Sequence, residues 1–88
     1  MNIEKYLLEK GIKPHLKGFA YLTDAIKFCQ EDKSLLRAIT SKLYNKIAEV
    51  NKDTNIRVER AIRNSIAVSG KKITNSEFIA TAIIELKD

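Results

Sequence analysis

The chain has one cysteine, one histidine, one proline, three glycines and no tryptophan in 88 residues, and each scarcity excludes something. Cys29 alone cannot form an internal disulfide and fits a reducing cytoplasm. Cys29 and His15 are too few for a zinc site, so neither metal nor cofactor is expected. Gly11, Gly18 and Gly70 are scattered, not gathered into a phosphate-binding loop. No apolar run approaches the roughly 18 residues of a membrane span, and Met1-Asn2-Ile3-Glu4 lacks the basic start and apolar middle of a signal peptide. A catalytic Cys29–His15 pair is formally open, but Cys29 lies on an apolar stripe, where burial is the common fate of a free cysteine. The expectation is a cytoplasmic, non-enzymatic protein with no membrane segment and no small-molecule substrate.

What remains is the composition of helices. With a single proline and no long alternating apolar-polar run, there is little room for a sheet. Eighty-eight residues suit one domain, 1–88, and the fold class expected is all-α, a compact bundle of about five helices. Asn2 is placed to cap a first helix over about Ile3 to Lys10, and Gly11 to end it. A second helix runs from near Lys17 to Cys29, with Phe19, Leu22, Ile26 and Cys29 spaced for burial; Gly18 near its start weakens that boundary. Ser34 caps a third stretch, one helix or two pieces, with Leu35, Leu36, Ile39, Leu43, Ile47 and Val50 inward. Thr74 and Glu77 form a T-x-x-E capping box for a last helix over about Asn75 to Leu86. The six tyrosines and phenylalanines fit core positions and are not gathered on a strand surface for stacking RNA bases.

Charge is concentrated in the middle of the chain. Residues 37–72 carry nine basic side chains against three acidic ones, whereas residues 1–36 are nearly balanced and residues 73–88 are net acidic. That stretch contains IAEVNKDTNIRVERAIRNS, residues 47–65, which reads as a helix end, a polar turn and a second helix charged on one side. At about 100° per residue, Val58, Ala61, Ile62, Ser65 and Ile66 share one face. Ile56, Glu59, Arg60, Arg63 and Ala67 share the other, with Arg57 and Asn64 at its flank. Arg can grip guanine O6 and N7 bidentately and Glu can accept from cytosine N4, so this is a candidate major-groove reading helix; an amphipathic surface helix laced with ion pairs has the same pattern. Ala48 and Val58 stand ten apart, as helix-turn-helix packing requires, and Thr54 is a suitable N-cap. Lys52 occupies the usual glycine position of the turn, beside Asn51, a residue more tolerant of left-handed backbone. Asp53 stands where an apolar residue is typical.

Three blocks carry a specific resemblance: PHLKGFAYLTDAI at 14–26, ITSKLYNKIAEVNKDTNIRVERAIRNSI at 39–66 and ITNSEFIA at 73–80. In this order they resemble the C-terminal DNA-binding effector domain of the stage zero sporulation protein A family, the master sporulation response regulators. The resemblance implies an all-helical fold whose R-V-E-R-A-I-R helix lies in the major groove of a TGTCGAA-like element. Glu59 and Arg60 match the family's base-reading pair, and Arg63 an arginine on the same face. The segment His15-Leu16-Lys17-Gly18 resembles a family H-x-K-G loop, which assigns His15 and Lys17 to phosphate contacts. The sequence departs from the family twice. Eighty-eight residues cannot hold the usual receiver domain. Between reading helix and T-N-S-E-F the family has a longer stretch with a short helix, implicated in sigma-factor contact, where this chain has only Ser69-Gly70-Lys71-Lys72-Ile73. What is retained suits a repressor or competitor.

The reading is therefore a double-stranded DNA-binding regulator, with a first motif helix ending near Asn51 and a reading helix over about Asn55 to Val68. Glu59, Arg60 and Arg63 are the base readers. Lys42, Lys46, Lys52, Asn55, Arg57, Asn64, Lys71 and Lys72 join His15 and Lys17 as phosphate contacts. Useful affinity calls for two copies on adjacent sites about one helical turn apart, and the last helix, through Phe78, Ile79, Ala82 and Ile83, is the candidate homodimer surface. The rival is a protein-interaction module that binds a sporulation regulator or the transcription machinery without specific DNA binding.

Overall fold

A computed structural model describes residues 2–87, and among these all regular structure is helical. The elements are α1 (Ile3–Glu9), α2 (Lys17–Glu31), a 3₁₀ turn (Lys33–Arg37), a π turn (Ile39–Leu43), α3 (Tyr44–Asn51), α4 (Asn55–Val68) and α5 (Asn75–Glu85). Their boundaries follow from local chemistry. Asn2 accepts from the Lys5 N–H to start α1, and Gly11, at φ +86°, ends it. The Ile12 N–H then reaches the Leu7 carbonyl and the Gly11 N–H the Leu8 carbonyl, a Schellman closure. Thr54 caps α4 by accepting from Arg57 N–H. At α5 both halves of the Thr74–Glu77 capping box are present.

The third stretch breaks into three. Asp32, not Ser34, is its cap: its carboxylate accepts from both the Ser34 N–H and hydroxyl. The 3₁₀ and π turns follow before α3 becomes regular, because Ala38, at φ −141°, leaves helical backbone between them. Val50, expected inward, is 60% exposed. Burial of Tyr44 and Ala48 beside Leu43 and Ile47 centres the inward stripe of α3 between Ile47 and Ala48, which leaves Val50 at its edge.

All five helices contribute to one apolar core, with Leu7, Leu22, Ile26, Leu43, Ile47, Val58, Ile62 and Ile79 fully buried. Phe19, Phe28 and Leu36 are half-buried against it. The α2–α4 contact depends on a missing side chain. A Cβ at Gly18 would stand 2.0 Å from Ser65 Oγ and 2.3 Å from the Ala61 carbonyl oxygen. The glycine that weakens the predicted start of α2 is what lets α2 lie on α4. Ser65 is itself fully buried and its hydroxyl has no hydrogen-bond partner. Because that polar group is desolvated without compensation, Ser65→Ala is expected to raise unfolding stability by up to about 1 kcal/mol, read as a higher urea midpoint; a fall would show that the hydroxyl contributes to the contact.

Phe78, Ile79, Ala82 and Ile83 of α5 are 0–8% exposed, packed within this core. They are therefore not a homodimer surface: α5 spends its apolar stripe on α2 and α4. Of its large apolar side chains only Ile84, 73% exposed, projects outward. No helix of the described residues is long and apolar enough to cross a membrane.

Candidate nucleic-acid interface

α3, a turn and α4 form a helix-turn-helix in which Ala48 and Val58 are both buried, as their ten-residue spacing requires. The left-handed residue of the turn is Lys52 itself, at φ 54° and ψ 47°, not Asn51. Asn51 completes α3, and its amide donates to the Asp24 carboxylate at 2.9 Å and the Ile47 carbonyl at 2.8 Å. With Lys52 turned, the Asp53 N–H reaches back to the Ala48 carbonyl. A β-carbon in this conformation costs about 1–2 kcal/mol, part of which a glycine would return as unfolded-state entropy. Lys52→Gly is therefore expected to stabilise the fold by up to about 1 kcal/mol in urea unfolding. It is also expected to weaken DNA binding at every sequence alike and flatten the salt slope by about one unit; an unchanged slope would remove Lys52 from the phosphate contacts.

Asp53 has a use of its own. The Tyr21 hydroxyl donates to its carboxylate, and that bond, with the Thr54 N–H, holds Asp53 below the usual carboxylate range. The same bond, aided by burial, pushes Tyr21 up to about 12. The acidic residue that departs from the generic motif thus ties the turn to α2. Lys17 and Arg57 stand close enough to Asp53 to lower its pKa further, so two cations from different helices meet beside the turn. Leu16, the N-cap of α2, supplies no side-chain acceptor, which leaves first-turn N–H groups beside Lys17 and the exposed His15.

α4 buries Val58, Ile62, Ser65 and Ile66 and turns the opposite face to solvent. Arg60 stands at the centre of that face, exposed, and has no ion-pair partner among the described residues. Glu59 and Arg63 lie toward α5. Arg63 Nε is 3.6 Å from Glu59 Oε2, with the Glu59 side chain 32% exposed. The amide of buried Asn75 donates to the Tyr44 hydroxyl at 3.0 Å, the Glu59 carbonyl at 3.2 Å and Glu59 Oε2 at 3.4 Å. Asn75 and Tyr44 therefore support Glu59 from behind, a role no periodicity marks. The only sequence signal is an asparagine directly after the Thr74 cap.

The phosphate candidates divide. Lys52, Arg57, Asn64 and Lys72 are exposed on or beside the motif. Lys42 and Lys46 gather at the far end of α2, where both act on Asp32 and Lys46 Nζ stands 4.4 Å over the Phe28 ring. Asn55 is a correction: its amide donates to the Thr40 carbonyl at 2.6 Å and Asn45 Oδ1 at 2.8 Å. That pins the first turn of α4 to the preceding segment instead of offering donors outward. Lys71 borders a small cavity with Tyr6, Lys10 and Glu85, near enough to lower the pKa of Glu85. Roughly the length of α4, about 20 Å, separates it from the turn. Cys29 is buried, and burial pushes its thiol up to about 11; it stays protonated at neutral pH.

The family model described as Sporulation initiation factor Spo0A C terminal matches residues 3–72. The matched span runs from α1 through α4 and stops short of α5.

Proposed function

Because this chain belongs to the Spo0A C-terminal family of DNA-binding effector domains, we propose that it is a sequence-specific regulator whose α4 enters the major groove of a TGTCGAA-like element. The observation that carries this reading is Arg60, a guanidinium without an ion-pair partner among the described residues, at the centre of the outward face of the capped α4. With no carboxylate among the described residues paired to it, its fork is available for guanine O6 and N7. Glu59, backed by Asn75 and steered by Arg63, accepts from a cytosine N4, and Arg63 takes a base or the nearby phosphate. Arg57, Lys17, His15 and Lys52 grip the backbone around the turn, together with the first-turn N–H groups of α2, whose positive dipole end favours a phosphate. Asn64, Lys72, Lys42 and Lys46 extend the basic surface. With little chain between α4 and α5, the protein acts as a repressor or competitor at such sites.

The test is a fluorescence anisotropy titration of a TGTCGAA duplex beside one with the central CG pairs swapped, at two salt concentrations. Tight binding that falls steeply with salt and drops on the swap is expected. Equal, weak binding to both would overturn the reading and direct attention to protein partners.

A further inference from the structure

Ile56 has no place in the fold. It is 62% exposed and belongs neither to the core nor to the half-buried side chains packed on it. It sits in the first turn of α4, where an acidic or hydroxyl side chain would complement the helix dipole and a β-branched apolar one gains nothing. By helical spacing Ile56, Arg60, Arg63 and Ala67 share one outward line. The turn that carries Ile56 is fixed on both sides: Thr54 caps it and Asn55 is pinned to Thr40 and Asn45. An apolar side chain is thus held on the same helix turn as Arg57 and one turn before Arg60, cations that would bring it against a polyanion.

We propose that Ile56 is a specificity-determining residue that packs on the C5-methyl group of a thymine in the major groove. The inference rests on the DNA-reading function proposed above. Among base edges in that groove the thymine methyl is the apolar group. Ile56 and Arg60 are one turn apart, about 5–6 Å, and successive bases rise about 3.4 Å. The thymine therefore lies one or two base pairs from the guanine held by Arg60.

The experiment replaces each thymine of the TGTCGAA duplex singly with uracil, which removes only the methyl group, and titrates the wild-type protein and Ile56→Ala against the set. Because Ile56 is exposed, this variant leaves the core intact. One position, within two base pairs of the Arg60 guanine, is expected to lose about fourfold in wild-type affinity, the worth of one buried methyl-sized group. Ile56→Ala should lose a similar factor on the thymine duplex and be indifferent to uracil there. If wild-type protein discriminates operator from swap but no uracil changes its affinity, Ile56 does not read a methyl group. The same conclusion follows if Ile56→Ala keeps the full uracil effect. Absence of any discrimination between operator and swap overturns the DNA reading itself, and this inference with it.

Discussion

Arg60→Ala is expected to cost about 1–3 kcal/mol of specific binding, roughly 5- to 150-fold in Kd, and to relax preference at one base pair. The reason is geometric. Arg60 is exposed, contributes nothing to the core and has no ion-pair partner among the described residues, so its loss leaves the fold and its neighbours undisturbed. In the groove its fork replaces two water contacts with two fixed acceptors, and truncation leaves those acceptors unmatched. Arg57→Ala differs in kind. Removing a cation near Asp53 should weaken operator and swapped duplex by the same factor. Titration of both variants on both duplexes separates the two roles. Unchanged affinity and preference after Arg60→Ala would mean that the outward face of α4 does not read bases.

Gly18→Ala should be the most damaging single substitution for the fold. A methyl group there meets Ser65 Oγ at 2.0 Å and the Ala61 carbonyl oxygen at 2.3 Å, far inside contact distance. The serine could be trimmed, but the carbonyl belongs to the α4 backbone and cannot move without unwinding the reading helix. The cost is about 3 kcal/mol or more, at the upper end of overpacking effects. At about 4–8 °C per kcal/mol for a domain of this size, the melting temperature should fall by roughly 12 °C or more. Adding Ser65→Ala should not rescue it, since the clash with Ala61 remains. A melting temperature within a degree or two of wild type would mean that α2 does not cross α4 at Gly18.

Features set by near neighbours in the chain are legible in the residues themselves. The Thr54 cap, the Thr74–Glu77 box and the Gly11 stop each need only residues within about one turn, and each is realised. The inward face of α4 is equally legible, because a strict 3.6 period survives over the whole helix. Features that depend on contacts across the chain are not. Gly18 reads as a helix weakness because its reason lies more than forty residues away, at Ala61 and Ser65. Asp53 reads as a defect in the motif until Tyr21 supplies a donor. Asn55 reads as a phosphate ligand because periodicity says nothing of Thr40 and Asn45, which hold its amide. Phe78, Ile79, Ala82 and Ile83 of α5 read as a dimer surface from spacing alone, but they close the core that α2 and α4 open.

The claim that α4 reads base edges through Arg60 is tested most directly by removing the acceptor it would grip. Each guanine of the TGTCGAA duplex is replaced singly with 7-deazaguanine, which lacks the N7 acceptor in the major groove, and Kd is measured for wild type and Arg60→Ala. The account predicts one guanine whose replacement weakens the wild-type protein and leaves Arg60→Ala unaffected. Equal losses for both proteins at every guanine, or no loss for either, would contradict it.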